Sequence, residues 1–122
     1  MRKPGTDEND VRMSDVLCDF CHREWTEDEP MIEGHQGSCI CGKCLTLAYA
    51  DVVVRGVNTA PEEYRCPMCL ERAADRAALG RAAEPGWRSA RVPDAVLCRR
   101  CIKLAAGALH KDNDFGWRKP TA

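Results

Sequence analysis

Apolar residues recur at helical intervals in two stretches of the chain. In residues 45–52 they return every three or four positions, as on one face of an amphipathic helix, and Gly56 follows as a helix stop. The stretch from Leu97 to Leu109 repeats this pattern, and each stretch adjoins a pair of cysteines. Between them, residues 70–83 are rich in Ala and Arg and favour a helix as far as Gly80. The pattern predicts two amphipathic helices that begin at cysteine-rich turns, and a shorter helix between them.

The cysteines give these helices a chemical context. The chain has 122 residues and 9 cysteines, and eight of the nine fall into C-x-x-C pairs. Units shorter than roughly 40 to 70 residues rarely fold on apolar burial alone, so a metal or disulfide staple is expected. Two C-x-x-C turns complete one closed tetrahedral zinc site, and four turns therefore predict two Zn²⁺ per chain. The predicted ligands are Cys18, Cys21, Cys41, Cys44, Cys66, Cys69, Cys98 and Cys101.

An internal repeat indicates which pairs combine. The segments CGKCLTLAYADVV and CRRCIKLAAGAL share a C-x-x-C-[Leu/Ile]-x-Leu-Ala pattern. We therefore expect a tandem duplication in which each unit runs from a cysteine pair through a spacer to a second pair and a helix. This order is that of a treble clef. The sequence predicts a small α+β, zinc-stabilised fold with two tandem treble-clef-like zinc modules, each a knuckle or short hairpin followed by a helix.

Module boundaries follow from the repeat and from composition. Polar residues 1–14 are predicted to be disordered, and residues 112–122 to form a loose tail that Phe115 and Trp117 attach to a core. The remaining ranges are the first four-cysteine module at 15–56, a linker at 57–65 and the second module at 66–111.

Residues 18–54 combine a C-x-F-C knuckle, an acidic amphipathic spacer, an apolar turn that ends in Gly, and an Ile-Cys-x-x-Cys helix start. In this combination they resemble the N-terminal zinc-binding domain of the ClpX unfoldase. The resemblance implies a small zinc module that often dimerises and binds substrate or adaptor proteins. ClpX joins this domain to an ATPase, whereas this chain has no G-x-x-x-x-G-K-[ST] phosphate loop. The matching positions are Cys18, Phe20, Cys21, Met31, Ile32, Gly34, Ile40, Cys41, Cys44 and Leu45.

A RING-type cross-brace is the competing topology. The segment EYRCPMCLER resembles the closing C-P-x-C of RING domains, which would place Cys66 and Cys69 in a second site with Cys39 and His35. In the treble-clef interpretation Cys39 is instead a small buried apolar residue, and His35 faces solvent. The RING alternative implies a scaffold for a ubiquitin-type ligase.

Charge supports a further alternative. Residues 1–65 carry 7 Lys/Arg and 13 Asp/Glu, a net charge of −6, whereas residues 66–122 carry 11 and 6, a net charge of +5. The basic second half could face phosphates, so a nucleic-acid-binding zinc finger is the main alternative. Low aromatic content and a sequence pI of 6.3 argue against it.

The predicted function is recognition rather than catalysis. Two complete four-cysteine sets leave no open zinc position, and no H-E-x-x-H or Ser/His/Asp grouping is present. Because the sequence shows no apolar signal or membrane-length segment, a cytoplasmic location is expected, and no membrane association. We predict a non-enzymatic zinc protein that acts as an adaptor or dimerisation protein. Its expected partner is a protein, with a homodimer as one form of that interaction.

Overall fold

The computed structural model describes residues 1–121, which form two similar zinc-module folds. The first consists of a knuckle, a two-stranded hairpin and a helix, and the second repeats this order with an additional short helix after its knuckle. The elements of the first module are β1 (Met31–Glu33), β2 (Cys39–Cys41) and α1 (Gly42–Tyr49), with a π-helical turn at Ala50–Val54. Those of the second are α2 (Ala73–Ala78), β3 (Gly86–Arg88), β4 (Val96–Cys98) and α3 (Arg99–Lys111). The predicted small α+β fold is confirmed.

The two hairpins place the cysteines in equivalent positions. Both are antiparallel, with Met31 opposite Cys41 in the first and Gly86 opposite Cys98 in the second. Each second strand therefore ends at a cysteine from which a helix starts. Leu97 was expected on the helical stripe and lies in β4 instead, because the backbone stays extended up to Cys98, the N-cap of α3. It is nevertheless fully buried.

The predicted helix ends agree with the structure. The helical segment that begins at Gly42 continues to Val54, and Gly56 follows in the left-handed region with φ of +69°. Gly80 likewise follows the end of α2 in the left-handed region, with φ of +73°. Glycine adopts positive φ without the Cβ clash that other residues meet, so both positions suit a helix stop.

A single apolar core joins the two modules. Helices α1 and α3 pack against each other, and one continuous cluster of buried side chains runs through both. The rings of Phe20 and Trp87, which belong to different modules, lie 5.8 Å apart between centroids. The segment between the modules is also held, since the Asn58 side chain accepts a hydrogen bond from the Gly86 N–H at 2.9 Å. The boundaries drawn from the sequence stay predictions.

Both end segments contact the first module. Residues 1–14 were predicted to be disordered, but Arg2 pairs with Val16 in an antiparallel bridge and the Lys3 N–H donates to the Asp15 carbonyl at 2.8 Å. In the tail, the Trp117 indole N–H lies 3.1 Å from the Gly42 carbonyl, which agrees with its predicted attachment. Within residues 1–121, none of the helices combines the length and the hydropathy that crossing a membrane requires.

Candidate metal centre

The elements of the first module bring four cysteines together. The knuckle at residues 18–21 contributes two, the end of β2 contributes Cys41, and the first turn of α1 contributes Cys44. All four Sγ atoms lie within 4.8 Å of one another. The Sγ atoms of Cys21 and Cys41 are 3.7 Å apart. This is the first four-cysteine cluster.

The second module repeats the arrangement. Its knuckle at residues 66–69 contributes two cysteines, and Cys98 and Cys101 come from the end of β4 and the first turn of α3. The four Sγ atoms again lie within 4.8 Å of one another, with 3.8 Å between Cys69 and Cys98. The eight predicted ligand residues therefore lie in two clusters, grouped as the internal repeat predicts.

Both clusters fit a zinc ion. Zinc bound by four thiolates is tetrahedral with Zn–S bonds of about 2.3 Å, which places the sulfur atoms about 3.8 Å apart. The measured separations of 3.7 and 3.8 Å agree with this spacing. Four thiolates also complete the tetrahedron, so such sites are structural and leave no position for a substrate or a reactive water.

Both knuckles end in a turn with a strained backbone conformation. His22 follows the second cysteine of its knuckle with φ of +59°, and Leu70 occupies the same place in the other knuckle with φ of +67°. Each donates its N–H to the carbonyl of the first cysteine, His22 to Cys18 at 2.8 Å and Leu70 to Cys66 at 2.7 Å. Positive φ is uncommon for these residue types. The turn folds each knuckle so that its two thiols point towards the same site.

Backbone N–H groups stabilise the sulfur atoms as anions. The Cys44 N–H donates to Cys41 Sγ and the Cys101 N–H to Cys98 Sγ, both at 3.5 Å. These donors belong to the first helical turn, whose N–H groups have no intrahelical partner and where the helix dipole is positive. The Cys18 sulfur receives a further N–H from Cys41 at 3.3 Å. This is why each amphipathic helix starts at its cysteine pair.

Hydrogen bonds between the thiols shift their pKa values within each cluster. Hydrogen bonds from the thiols of Cys18 and Cys44 lower the pKa of Cys41 to about 2. The hydrogen bond between Cys18 and Cys44 is the main cause that raises the pKa of Cys44 above its ordinary value. In the second cluster a hydrogen bond from Cys101 is the main cause that lowers the pKa of Cys66 to about 2. Zinc binds thiolates, so its binding to either cluster releases the protons that the thiols carry.

The spacing and geometry of the first cluster agree with the outcome of a comparison with known protein families. Residues 16–52 match the family model of the ClpX C4-type zinc finger. This ClpX-type finger contains all four cysteines of the first cluster, and the family binds zinc. The predicted resemblance is confirmed over that range. No curated protein and no solved structure matches the chain.

The second cluster lies outside the matched range of the ClpX-type finger, and it decides between the two topologies. Cys66 and Cys69 lie with Cys98 and Cys101, so the cross-brace that would join them to Cys39 and His35 is wrong.

The two residues that the cross-brace required have other environments. Cys39 is fully buried, and its thiol donates to the Leu17 carbonyl at 2.9 Å. His35 is exposed. Neither belongs to a four-cysteine cluster of the described residues.

The sequence did not predict the contacts that the third residue of each knuckle, Phe20 or Met68, makes with the other module. The Phe20 and Met68 carbonyls, at the same position in the two knuckles, both accept hydrogen bonds from the other module. Both side chains are buried. The available signal was a large apolar residue at the third position of both CDFC and CPMC.

Proposed function

We propose that this chain is a non-enzymatic, cytoplasmic adaptor that binds short peptide segments of other proteins. The supporting observation is a groove that crosses the boundary between the modules. We call it the Leu47 groove. Its lining residues are Phe20, Cys21, Arg23, Lys43, Cys44 and Leu47 of the first module with Ser89, Ala90 and Arg91 of the second.

The floor of the Leu47 groove suits an apolar anchor. Its volume is 150 Å³, comparable to one or two large side chains. Leu47 is 59% exposed, although it sits one turn behind the zinc-cluster residue Cys44 on a short helix. Phe20 also lines the groove and is fully buried. An exposed leucine beside a cleft of this size favours an aliphatic or aromatic side chain of a partner.

The rim of the Leu47 groove favours acidic groups next to that anchor. Lys43 and Arg91 are exposed, and neither forms an ion pair within residues 1–121. Arg23, the third basic residue, is held by Glu29 at 3.5 Å. The wall of the groove includes Cys21 and Cys44 of the first cluster, whose negative charge is neutralised in part by N–H donors, whereas the two free cations are exposed to a ligand. The proposed ligand is a peptide with one large apolar residue flanked by carboxylates.

Selection from a phage-displayed peptide library against the zinc-loaded chain tests this proposal. We expect enriched peptides to carry an apolar residue flanked by Asp or Glu. Leu47→Asp should weaken binding of the enriched peptides by about tenfold or more, because it removes apolar contact and adds a negative charge to the floor. Fluorescence anisotropy of labelled peptides measures the change, and native mass spectrometry checks that both zinc ions remain.

Leu79→Asp is the matched control. Leu79 is 64% exposed and does not line the Leu47 groove, so the same substitution there should leave peptide affinity unchanged within about twofold. Failure to enrich any peptide, or equal affinities for the two variants, would overturn the proposal.

Nucleic-acid binding has less support among the basic residues of the second half. Arg81 is paired with Glu71 at 2.7 Å, and Arg100 lies 3.6 Å from the same carboxylate. Arg76 is buried, with its guanidinium 3.7 Å from the Tyr64 ring centroid. Three of the eight arginines in residues 66–122 are therefore held by contacts within the chain. A steep salt dependence of binding to DNA or RNA would favour this alternative instead.

A further inference from the structure

A second groove crosses the boundary between the modules, and we call it the Leu104 groove. It has a volume of 260 Å³, compared with 150 Å³ for the Leu47 groove. None of its residues lines the Leu47 groove, so the two are separate sites. Its walls include Ile32, Glu33 and Gly34 of the first module with Met68, Cys101 and Leu104 of the second.

The Leu104 groove is built from residues at the positions that form the Leu47 groove. Leu104 stands three residues after the last cysteine of its cluster, as Leu47 does, and the two side chains are 60% and 59% exposed. The third knuckle residue lines each groove, Phe20 in the first module and Met68 in the second. In both grooves the opposite wall comes from the other module's hairpin. The tandem modules therefore form the same kind of apolar site twice.

The walls of the Leu104 groove suit an apolar anchor. Met68 is buried at the position that Phe20 occupies in the other knuckle. Methionine is unbranched and polarisable, so its side chain adapts to the shape of a ligand more readily than a phenylalanine ring. Ile32 is half-buried in β1, on the wall of the other module. Together with the exposed Leu104, these residues favour a large aliphatic or aromatic side chain of a partner.

The Leu104 groove adjoins a concavity of 330 Å³ that we call the basic recess, and Leu104 lines both. Lys103 is exposed in the recess and Arg99 is half-buried, and neither forms an ion pair within residues 1–121. Four cations, together with the carboxylates of Glu84 and the neighbouring Glu71, give the recess a net charge of +2. The other residues of the recess are Arg81, Glu84, Arg99, Arg100 and Lys103.

The wall that the first module contributes carries the opposite charge. Glu33 is exposed, and among the described residues it forms no ion pair. The second cluster adds negative charge, but Cys101 is buried and its N–H neutralises part of that charge at Cys98 Sγ. In the Leu47 groove both walls offer a free cation, Lys43 and Arg91. The Leu104 groove is instead polarised, with a carboxylate on one wall and cations beside the other.

We propose that the Leu104 groove is a second peptide-docking site, whose ligand is a protein segment with one large apolar residue between a basic and an acidic residue. The apolar side chain occupies the groove, the basic group pairs with Glu33, and the acidic group lies in the basic recess beside Lys103 and Arg99. The chain then holds two partner segments of different charge pattern. This inference shares with the proposed function only the class of ligand, and its residues and its test are separate.

Peptide selection against the zinc-loaded Leu47→Asp variant tests this inference, because that variant disables the first groove and leaves the Leu104 groove unchanged. A phage-displayed library should yield peptides whose apolar residue has Lys or Arg on one side and Asp or Glu on the other. Fluorescence anisotropy of these peptides then compares further substitutions in the Leu47→Asp background. Leu104→Asp should weaken binding by about tenfold or more, because it places a charge in the apolar groove. Lys103→Glu should weaken it by about threefold or more, because it reverses a charge that faces the acidic residue.

Leu79→Asp and Lys111→Glu are the matched controls. Both residues are exposed, and neither lines the Leu104 groove or the basic recess, so affinity should stay within about twofold. Native mass spectrometry checks that each variant keeps two zinc ions. If Leu104→Asp fails to fold, Lys103→Glu compared with Lys111→Glu still decides the question.

A parallel selection against Leu104→Asp, which keeps the Leu47 groove, separates this inference from the proposed function. Peptides enriched on Leu104→Asp but none on Leu47→Asp would overturn the second site and leave the first intact. Peptides enriched on Leu47→Asp without charges of both signs, or equal affinities for Lys103→Glu and Lys111→Glu, would also overturn the inference.

Discussion

Complete removal of zinc is expected to unfold this chain. Structural zinc in small domains contributes on the order of 10 kcal/mol or more to folding, whereas the net stability of whole domains is about 5–15 kcal/mol. The chain depends on two such clusters, and its hairpin strands are only three residues long. Without the metal, no bond would hold the cysteines next to the strained turns at His22 and Leu70 against the other two cysteines of their clusters.

Far-UV circular dichroism and two-dimensional amide NMR spectra measure this effect. A chelator with high zinc affinity, added under reducing conditions, should remove the amide dispersion and most of the helical circular dichroism signal. Stoichiometric zinc should restore both, and chelator saturated with zinc beforehand should have no effect. Retained tertiary dispersion in fully zinc-free protein would contradict the expectation.

The shared core predicts how this unfolding proceeds. Phe20 packs near Trp87 across the module boundary, and α1 packs on α3. Because buried side chains of each module are covered by the other, loss of one zinc ion should also lower the stability of the module that keeps its metal. Unfolding should therefore be cooperative across the chain rather than occur in two independent steps.

The sequence predicted the features that depend on cysteine spacing, which are the two four-cysteine sites and the helix starts beside them. Four C-x-x-C pairs limit the chain to two closed sites, and a cysteine pair at a helix N-terminus explains why α1 and α3 begin where they do. The error at Leu97 has a physical origin. A buried apolar residue one position before a cysteine fits both a helical stripe and the central pair of a short hairpin, here Leu97 opposite Trp87, and periodicity alone does not distinguish them.

The pairing of the modules could not be derived from the sequence. It depends on long-range fits such as Gly34 against the Met68 backbone and Ser89 on the Phe20 carbonyl. Glycine and serine after a short strand also suit ordinary turns, so these residues carried no specific signal. Their importance appears only when both knuckles and both hairpins are placed together. The Leu47 groove was hidden for the same reason, because its two walls come from segments far apart in the chain.

Replacing two cysteines of the second cluster should remove one of two zinc ions. In Cys98→Ser/Cys101→Ser the second cluster keeps two of its four sulfur atoms, which cannot complete a tetrahedral thiolate site. Cys18, Cys21 and their partners in the first cluster are unchanged. Native mass spectrometry under reducing conditions should therefore show two zinc ions in the wild type and one in the variant.

Cys39→Ser is the matched control for this measurement. Cys39 is a buried cysteine outside both clusters, so its replacement should leave two zinc ions bound. If Cys98→Ser/Cys101→Ser kept two, the second site would have to use other residues, and the assignment of the second module would fail. If the variant kept none, the first cluster would depend on the second for its fold. In that last case, a zinc titration of the variant shows whether the first cluster is only destabilised or can no longer form. A destabilised cluster regains one ion as the free zinc concentration rises.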